Sequence, residues 1–273
     1  MFVFKVTVDF SAVKEEKRDV YDAFCELVGS YFQSGQVIGF SQPVFFVGKT
    51  LIWVVETSEK TSFARKNENF WVRKFRAEFE ARFLTKLKFE LLGENPCEAN
   101  VCCCKSPSKY VLFTSYAKAG PPLVCADCGF DVPLYRIPKP PIPAGSNRPK
   151  YPEGQAYERL NGWEREYHAC DNLQMECGFG ERWGTRQMSD FHSRLTRKGR
   201  ELAAQIEERT GVPTYYYLYD YRNVTLTRNR SEPCPGCGKP WVSQAPNENC
   251  FDLWCDACRL TKNLTFNPRG KTA

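Results

Sequence analysis

An α+β fold is predicted for this 273-residue chain, opening with a ferredoxin-like plait and continuing into smaller cysteine-bearing elements. Three observations predict it. Over residues 1–95 the apolar positions follow the order strand, helix, strand, strand, helix, strand. Three Cys-x-x-Cys pairs come later, at 125–128, 234–237 and 255–258. Between the first pair and the second lies 138–152, where six of fifteen residues are proline, a composition suited to an extended linker or wrapping loop.

Each element has its own signal. Phe2, Phe4, Val6, Val8 and Phe10 alternate with more polar neighbours, as in a half-buried strand. Val20, Phe24, Leu27, Val28 and Tyr31 recur at helical spacing after the charged turn Glu15-Glu16-Lys17-Arg18, and Gly35 stops the pattern. Strands are expected at 37–40 and 44–47, then a Gly48-Lys49 turn and a strand at 51–57, with Pro43 at an edge or bulge. A second helix is expected over 64–86 with the stripe Trp71, Phe75, Phe79 and Phe83, and 88–92 closes the set. The third strand lacks the exposed aromatic pattern of an RNA-recognition plait, which disfavours RNA on this sheet.

The cysteine spacing specifies chemistry. Cys234-Pro-Gly-Cys237 and Cys255-Asp-Ala-Cys258 are separated by seventeen residues, the layout of a zinc ribbon, in which two tight loops each offer two thiolates to one tetrahedral ion. Gly238 suits the positive φ of such a loop and Pro235 bends it. Residues 241–243 and 251–254 read as the ribbon's strands. Cys125 and Cys128 form a third knuckle that needs two more ligands. Cys102 and Cys104, alternate residues of the Cys102-Cys103-Cys104 run, point the same way in an extended segment and are the favoured pair; Cys103 and Cys97 are the rivals. Two zinc ions per chain are therefore expected. The segment 110–116 reads as a strand joining the halves of this module.

The chain then divides into a plait at 1–95, a Cys₄ zinc module at 96–137, the linker at 138–152, helices with a tyrosine-rich strand at 153–229, and a zinc ribbon at 230–273. Within 153–229 a helix begins near Tyr157, and another is capped by Ser189, striped by Phe191, Leu195, Leu202 and Ile206, and ended by Gly211. The strand 214–222 follows.

Several motifs connect this sequence to a family. Ser106-Pro-Ser-Lys-Tyr-Val-Leu-Phe113, Pro133-Leu-Tyr-Arg136, Ala169-Cys-Asp-Asn-Leu-Gln-Met-Glu-Cys177, Thr185-Arg-Gln-Met-Ser-Asp190 and Gly211-Val-Pro-Thr-Tyr-Tyr-Tyr-Leu-Tyr219 resemble those of uncharacterised bacterial zinc-ribbon-containing proteins described as candidate nucleic-acid binders. The resemblance covers nearly the whole chain. It implies a Cys-x-Cys pair joined to the first Cys-x-x-Cys; Cys103 in the middle of the run departs from that pattern.

Charge and composition narrow the function. The formal charge of +6 falls to about +2 once two Cys₄ sites, each −2 with its ion, are counted. Fourteen cysteines without a secretory leader point to metal in a reducing cytoplasm. No apolar run is long enough for a membrane span. Closed Cys₄ sites leave no coordination position for a substrate, and no phosphate loop or Ser/His/Asp order appears, so a non-enzymatic protein without a small-molecule substrate is expected. Cys170 and Cys177, with His168 and His192, offer a lesser third metal site or Cys–His pair.

Two partner surfaces stand out. Arg182, Arg186, Arg194, Arg197, Lys198 and Arg200 concentrate positive charge for phosphates or an acidic partner, with the helix bearing Arg65, Lys66, Arg73, Lys74, Arg76 and Arg82 as a weaker candidate. Tyr215, Tyr217, Tyr219 and Tyr221 share one strand face, where they either stack bases and anchor a partner or pack beneath the preceding helix. Nucleic acid is the expected partner, and the alternative is a protein-binding module such as an immunity- or antitoxin-type inhibitor or adaptor.

Overall fold

Phe2–Asp9 form β1, whose inward side chains Phe4, Val6 and Val8 are buried and whose outward ones are not, the alternation a one-sided sheet imposes. The structure is a computed structural model that describes residues 1–38, 43–95, 101–118, 120–138, 154–222, 226–243 and 251–264. Cys97 and residues 139–152 of the proline-rich stretch lie outside them, as do residues 39 and 40 of the strand expected at 37–40. The chain divides into two units: 1–101 with 119–121 and 131–159, and 102–118 with 122–130 and 160–273. No helix among the described residues is long and apolar enough to cross a membrane.

In the first unit, α1 (Lys17–Gln33) buries Val20, Phe24, Leu27 and Tyr31. The hairpin of β2 (Val44–Val47) and β3 (Thr50–Thr57) turns at Gly48-Lys49. The second helix, α2 (Phe70–Arg82), is shorter than its apolar pattern, because residues 65–67 take a 3₁₀ turn and Asn69 caps the helix, accepting a hydrogen bond from the Val72 amide at 2.8 Å. Its buried face is Val72, Arg76, Phe79 and Glu80, while Trp71 and Phe75 are only half-buried. Arg76 is admitted to that face because Glu68 (2.6 Å) and Glu80 (3.1 Å) accept its hydrogen bonds. β4 (Lys88–Glu94) completes an antiparallel sheet of order β2-β3-β1-β4. Phe24 meets Trp53 of β3 and Phe79 of α2 edge-on, at 5.7 and 5.6 Å, so both helices share one core on one face of this sheet. Residues 131–137 also belong here: Tyr135 and Arg136 donate to the Glu59 carboxylate.

The second unit is organised by a six-stranded mixed sheet. Its strands are β5 (Tyr110–Leu112), β6 (Leu123–Cys125), β7 (Thr214–Tyr217), β8 (Val242–Ser243), β9 (Leu253–Cys255) and β10 (Leu260–Lys262), in the order β6-β5-β7-β10-β9-β8. β7 runs parallel to both its neighbours, with Val111 opposite Tyr215 and Leu260 opposite Tyr216. The cysteine module, the tyrosine strand and the ribbon, which the sequence separates at residues 137 and 229, are therefore hydrogen-bonded into one sheet.

Helices cover it. α3 (Gly154–Met175), α4 (Glu181–Ser189), α5 (Arg194–Thr210) and α6 (Leu226–Ser231) complete the described elements. Ser189 does not cap α5; it ends α4, where its hydroxyl donates to the Thr185 carbonyl, and Ser193 is the cap, accepting from the Thr196 amide at 3.0 Å. α5 lies against Tyr216, which also meets Trp163 of α3 edge-on at 6.0 Å. On the opposite face Tyr215 and Tyr217 join Val111, Val124, Phe251 and Trp254 in a second core. The strand expected over 214–222 is regular only to Tyr217.

Candidate metal centres and partner surface

Each knuckle is a tight loop, and two of the three are built on a strand end. Cys125 closes β6 and Cys255 closes β9, and both strands run antiparallel to the strand beside them, leaving the next residues free to turn. In the first loop the Gly129 amide donates to Cys125 O at 2.8 Å and the Cys125 amide to Phe130 O at 2.9 Å; in the second the Gly238 amide donates to Cys234 O and the Cys234 amide to Lys239 O, both at 2.8 Å. Gly129 and Gly238 sit at φ of 75° and 71°, where a side chain is unfavourable. The third loop puts Arg259 at the same position, at φ of 50°. A non-glycine residue there costs about 1–2 kcal/mol, and Arg259 is held by a bidentate pair with Glu207 (2.9 Å from Nε and Nη2) while its carbonyl accepts from the Tyr216 amide at 2.8 Å.

These loops bring Cys102, Cys104, Cys125 and Cys128 together, and likewise Cys234, Cys237, Cys255 and Cys258; within each set all four sulfurs lie within 4.8 Å of one another. Cys237 and Cys255 Sγ are 3.5 Å apart. Tetrahedral bonds of roughly 2.3 Å place sulfurs about 3.8 Å apart, so both donor sets fit one ion each. No cysteine among the described residues is in a disulfide; Cys103 is exposed and stands apart from the set. Burial pushes the Cys102 and Cys255 thiols up and Cys258 to about 11, whereas the Lys239 amide beside Cys237 brings it down to about 7. A divalent cation among four sulfurs reverses the burial effect, because it stabilises the thiolates directly.

Among the described residues no third metal-ligating group forms. Cys177 lies two residues beyond the end of α3, breaking the helical face it would share with Cys170. Burial lifts the Cys170 thiol to about 11, so it is protonated at neutral pH. The His168 ring meets the Thr114 hydroxyl at 2.7 Å, a local polar link.

The partner candidates separate by burial. Tyr215 and Tyr217 are core residues, their hydroxyls donating to Asp256 (2.5 Å) and Asn263 (2.6 Å), which removes them from any docking surface. Tyr219 is half-buried and stacks at 6.3 Å on Tyr221, which is exposed. Of the basic cluster, Lys198 pairs with Glu166 at 2.9 Å, and Arg200 lies over the Phe191 ring at 3.9 Å. Arg182, Arg186, Arg194 and Arg197 are exposed, and of these Arg186 makes a solvated 3.4 Å pair with Asp190. Arg194 and Arg197 occupy the first turn of α5, the positive end of the helix dipole, where they bring the helix no stability. On the weaker basic helix, Arg76 is buried in its ion pairs, so that face is interrupted.

A protein-family profile described as "Domain of unknown function (DUF2310)" matches residues 104–219, and another, "Domain of unknown function (DUF8594)", matches 224–268. Two proteins of Haemophilus influenzae, each called "Uncharacterized protein", are similar. One is 29% identical over 245 residues, 88% of this chain and 89% of the relative; the other is 33% identical over 179 residues, 66% and 82% respectively. No solved structure matches.

Proposed function

This chain belongs to the family of those Haemophilus influenzae proteins, carrying a DUF2310 and a DUF8594 domain, and we propose that it is a non-enzymatic cytoplasmic protein that holds two structural zinc ions and binds nucleic acid. The pair of Cys₄ sets carries this reading, each set taking two of its cysteines from the end of a strand, β6 or β9, in the sheet that holds β7. Four thiolates at tetrahedral distances are the donor set of structural zinc, with every coordination position taken by protein. The bound ions would close the loops at the ends of β6 and β9, stiffening the sheet on which α5 rests; zinc supplies folding energy and no reaction step. The exposed arginines of α4 and α5 support the nucleic-acid part, since guanidinium groups bind phosphate oxygens in bidentate fashion. For the first unit, the order β2-β3-β1-β4 with two helices on one face supports a ferredoxin-like plait, a fold that names no activity.

Elemental analysis of the purified chain should return two zinc per chain. A gel-shift series on DNA and RNA across a salt gradient tests the partner: affinity should fall steeply with salt, by roughly one unit of log–log slope per phosphate contacted. Absence of any shift at low salt would refute nucleic-acid binding.

A further inference from the structure

The loop from α3 into α4 exposes large apolar side chains. Phe179 is 76% exposed, the highest value for a large apolar residue among the described residues, and Trp183, four residues on, is 57% exposed. Scattered surface apolar groups are ordinary, but an exposed Phe and Trp set among arginines form the composition of a recognition surface. Gly180 explains why Phe179 stays out: it turns the chain at φ of 79° and sits close on Leu173, so the turn is packed from beneath by Leu173. On α4 the buried residues are Gly184, Thr185 and Met188, which leaves Trp183 and Arg186, one turn apart, on the outer side with Arg182 between Trp183 and the loop.

The start of α5 is tied to the end of α4. Ser193 Oγ and Thr196 Oγ1 both donate to the Gln187 carbonyl, at 2.5 and 3.3 Å. Arg194 and Arg197 thereby extend the charge begun by Arg182 and Arg186. The nearby acids in sequence are Glu176, Glu181, Asp190 and Glu201, and Asp190 accepts both the His192 amide at 2.8 Å and, in a solvated pair, Arg186 at 3.4 Å.

We infer that this surface binds single-stranded nucleic acid, with Phe179 and Trp183 stacking on unpaired bases while Arg182, Arg186, Arg194 and Arg197 meet the phosphates; the inference rests on the nucleic-acid reading above. Charge complementarity selects a polyanion, and the rings select its unpaired form. Every unpaired base offers a π-face to an aromatic side chain, whereas a duplex exposes such faces only after costly unstacking.

The test uses the full, metal-loaded chain with one labelled oligonucleotide as a single strand and as a duplex of the same sequence. Wild type should prefer the single strand. Trp183→Ala should weaken single-strand binding by about 5- to 150-fold with an unchanged salt slope, since stacking releases no counterions. Arg182→Gln with Arg186→Gln should instead lower that slope by about 1.4, at about 0.7 per phosphate contact on a single strand. Unchanged metal content would show that each variant is folded. Equal affinity for both forms, with Trp183→Ala at wild-type strength, overturns the inference and leaves nucleic-acid binding standing. No binding of either form at low salt overturns both. A nuclease-resistant protein partner lost in Trp183→Ala assigns the patch to protein and also overturns it.

Discussion

Replacing Gly199 by alanine should destabilise the second unit, although helix propensity argues the opposite. Gly199 lies inside α5, and a Cβ there would stand 2.2 Å from Tyr216 Cε2 and 2.8 Å from Trp163 Nε1. Both rings are fully buried. Carbon atoms pack at about 3.5–4.0 Å, so the helix or the Tyr216 ring must move by more than about 1 Å. Alanine gains about 1 kcal/mol over glycine in a helix interior, while overpacking a filled core costs about 1–3 kcal/mol and occasionally more. With a contact this short on a ring that has no open side, the upper part of that range applies, leaving a net loss of about 1–2 kcal/mol and an apparent Tm lowered by about 2–8 °C. Gly162 in α3 is the control: its Cβ would first meet Lys198 Nζ, at 3.9 Å, so Gly162→Ala should stabilise by about 1 kcal/mol. Urea unfolding followed by circular dichroism, with metal in excess, compares the two. If Gly199→Ala matched or exceeded wild type, α5 would not rest on the strand between the cysteine hairpins as described.

The remaining predictions concern metal and pH. Cys237→Ser and Cys104→Ser should each remove one of the two metal equivalents by elemental analysis, and Cys103→Ser should remove neither; two equivalents retained in Cys104→Ser would refute that ligand set. Asp220 and Lys262 form a buried pair at 2.9 Å, with Arg222 adding a second partner at 2.8 Å. Burial alone would raise the Asp220 pKa, but hydrogen bonds from Arg222 and Lys262 outweigh it and the carboxyl lies below its usual range. The stability it contributes is therefore present above about pH 4 and lost as pH falls below it. Asp220→Asn should cost about 3–5 kcal/mol at neutral pH, because it leaves Lys262 buried without its anion. It should also flatten the acid limb of the stability curve measured by denaturant titration between about pH 6 and 3; an acid limb parallel to wild type would contradict the assignment.

Local spacing carried a large part of this molecule. Cys-x-x-Cys loops and the alternate pair Cys102 and Cys104 are decided within a few bonds of backbone, so the eight cysteines that gather in two groups were legible in the sequence. Periodicity likewise marked β1, α1 and the β2–β3 hairpin, whose partners are close along the chain. Cap geometry was harder: Ser189 and Ser193 both suit a helix start, and only the path of the chain between α4 and α5 chose Ser193.

Tertiary structure alone decided which surfaces face solvent. A period of two places Tyr215 and Tyr217 on one side of a strand, but it does not say what covers that side, and Phe251 and Trp254 cover it from residues far along the chain. The pairing of β7 with β5 and β10 joins segments roughly a hundred and about forty-five residues away; such contacts leave no local pattern because loop closure, not periodicity, governs them. Phe179 and Trp183 lie in a loop and a short helix without a long apolar rhythm, so their exposure emerged only once Gly180 and Leu173 had set the turn.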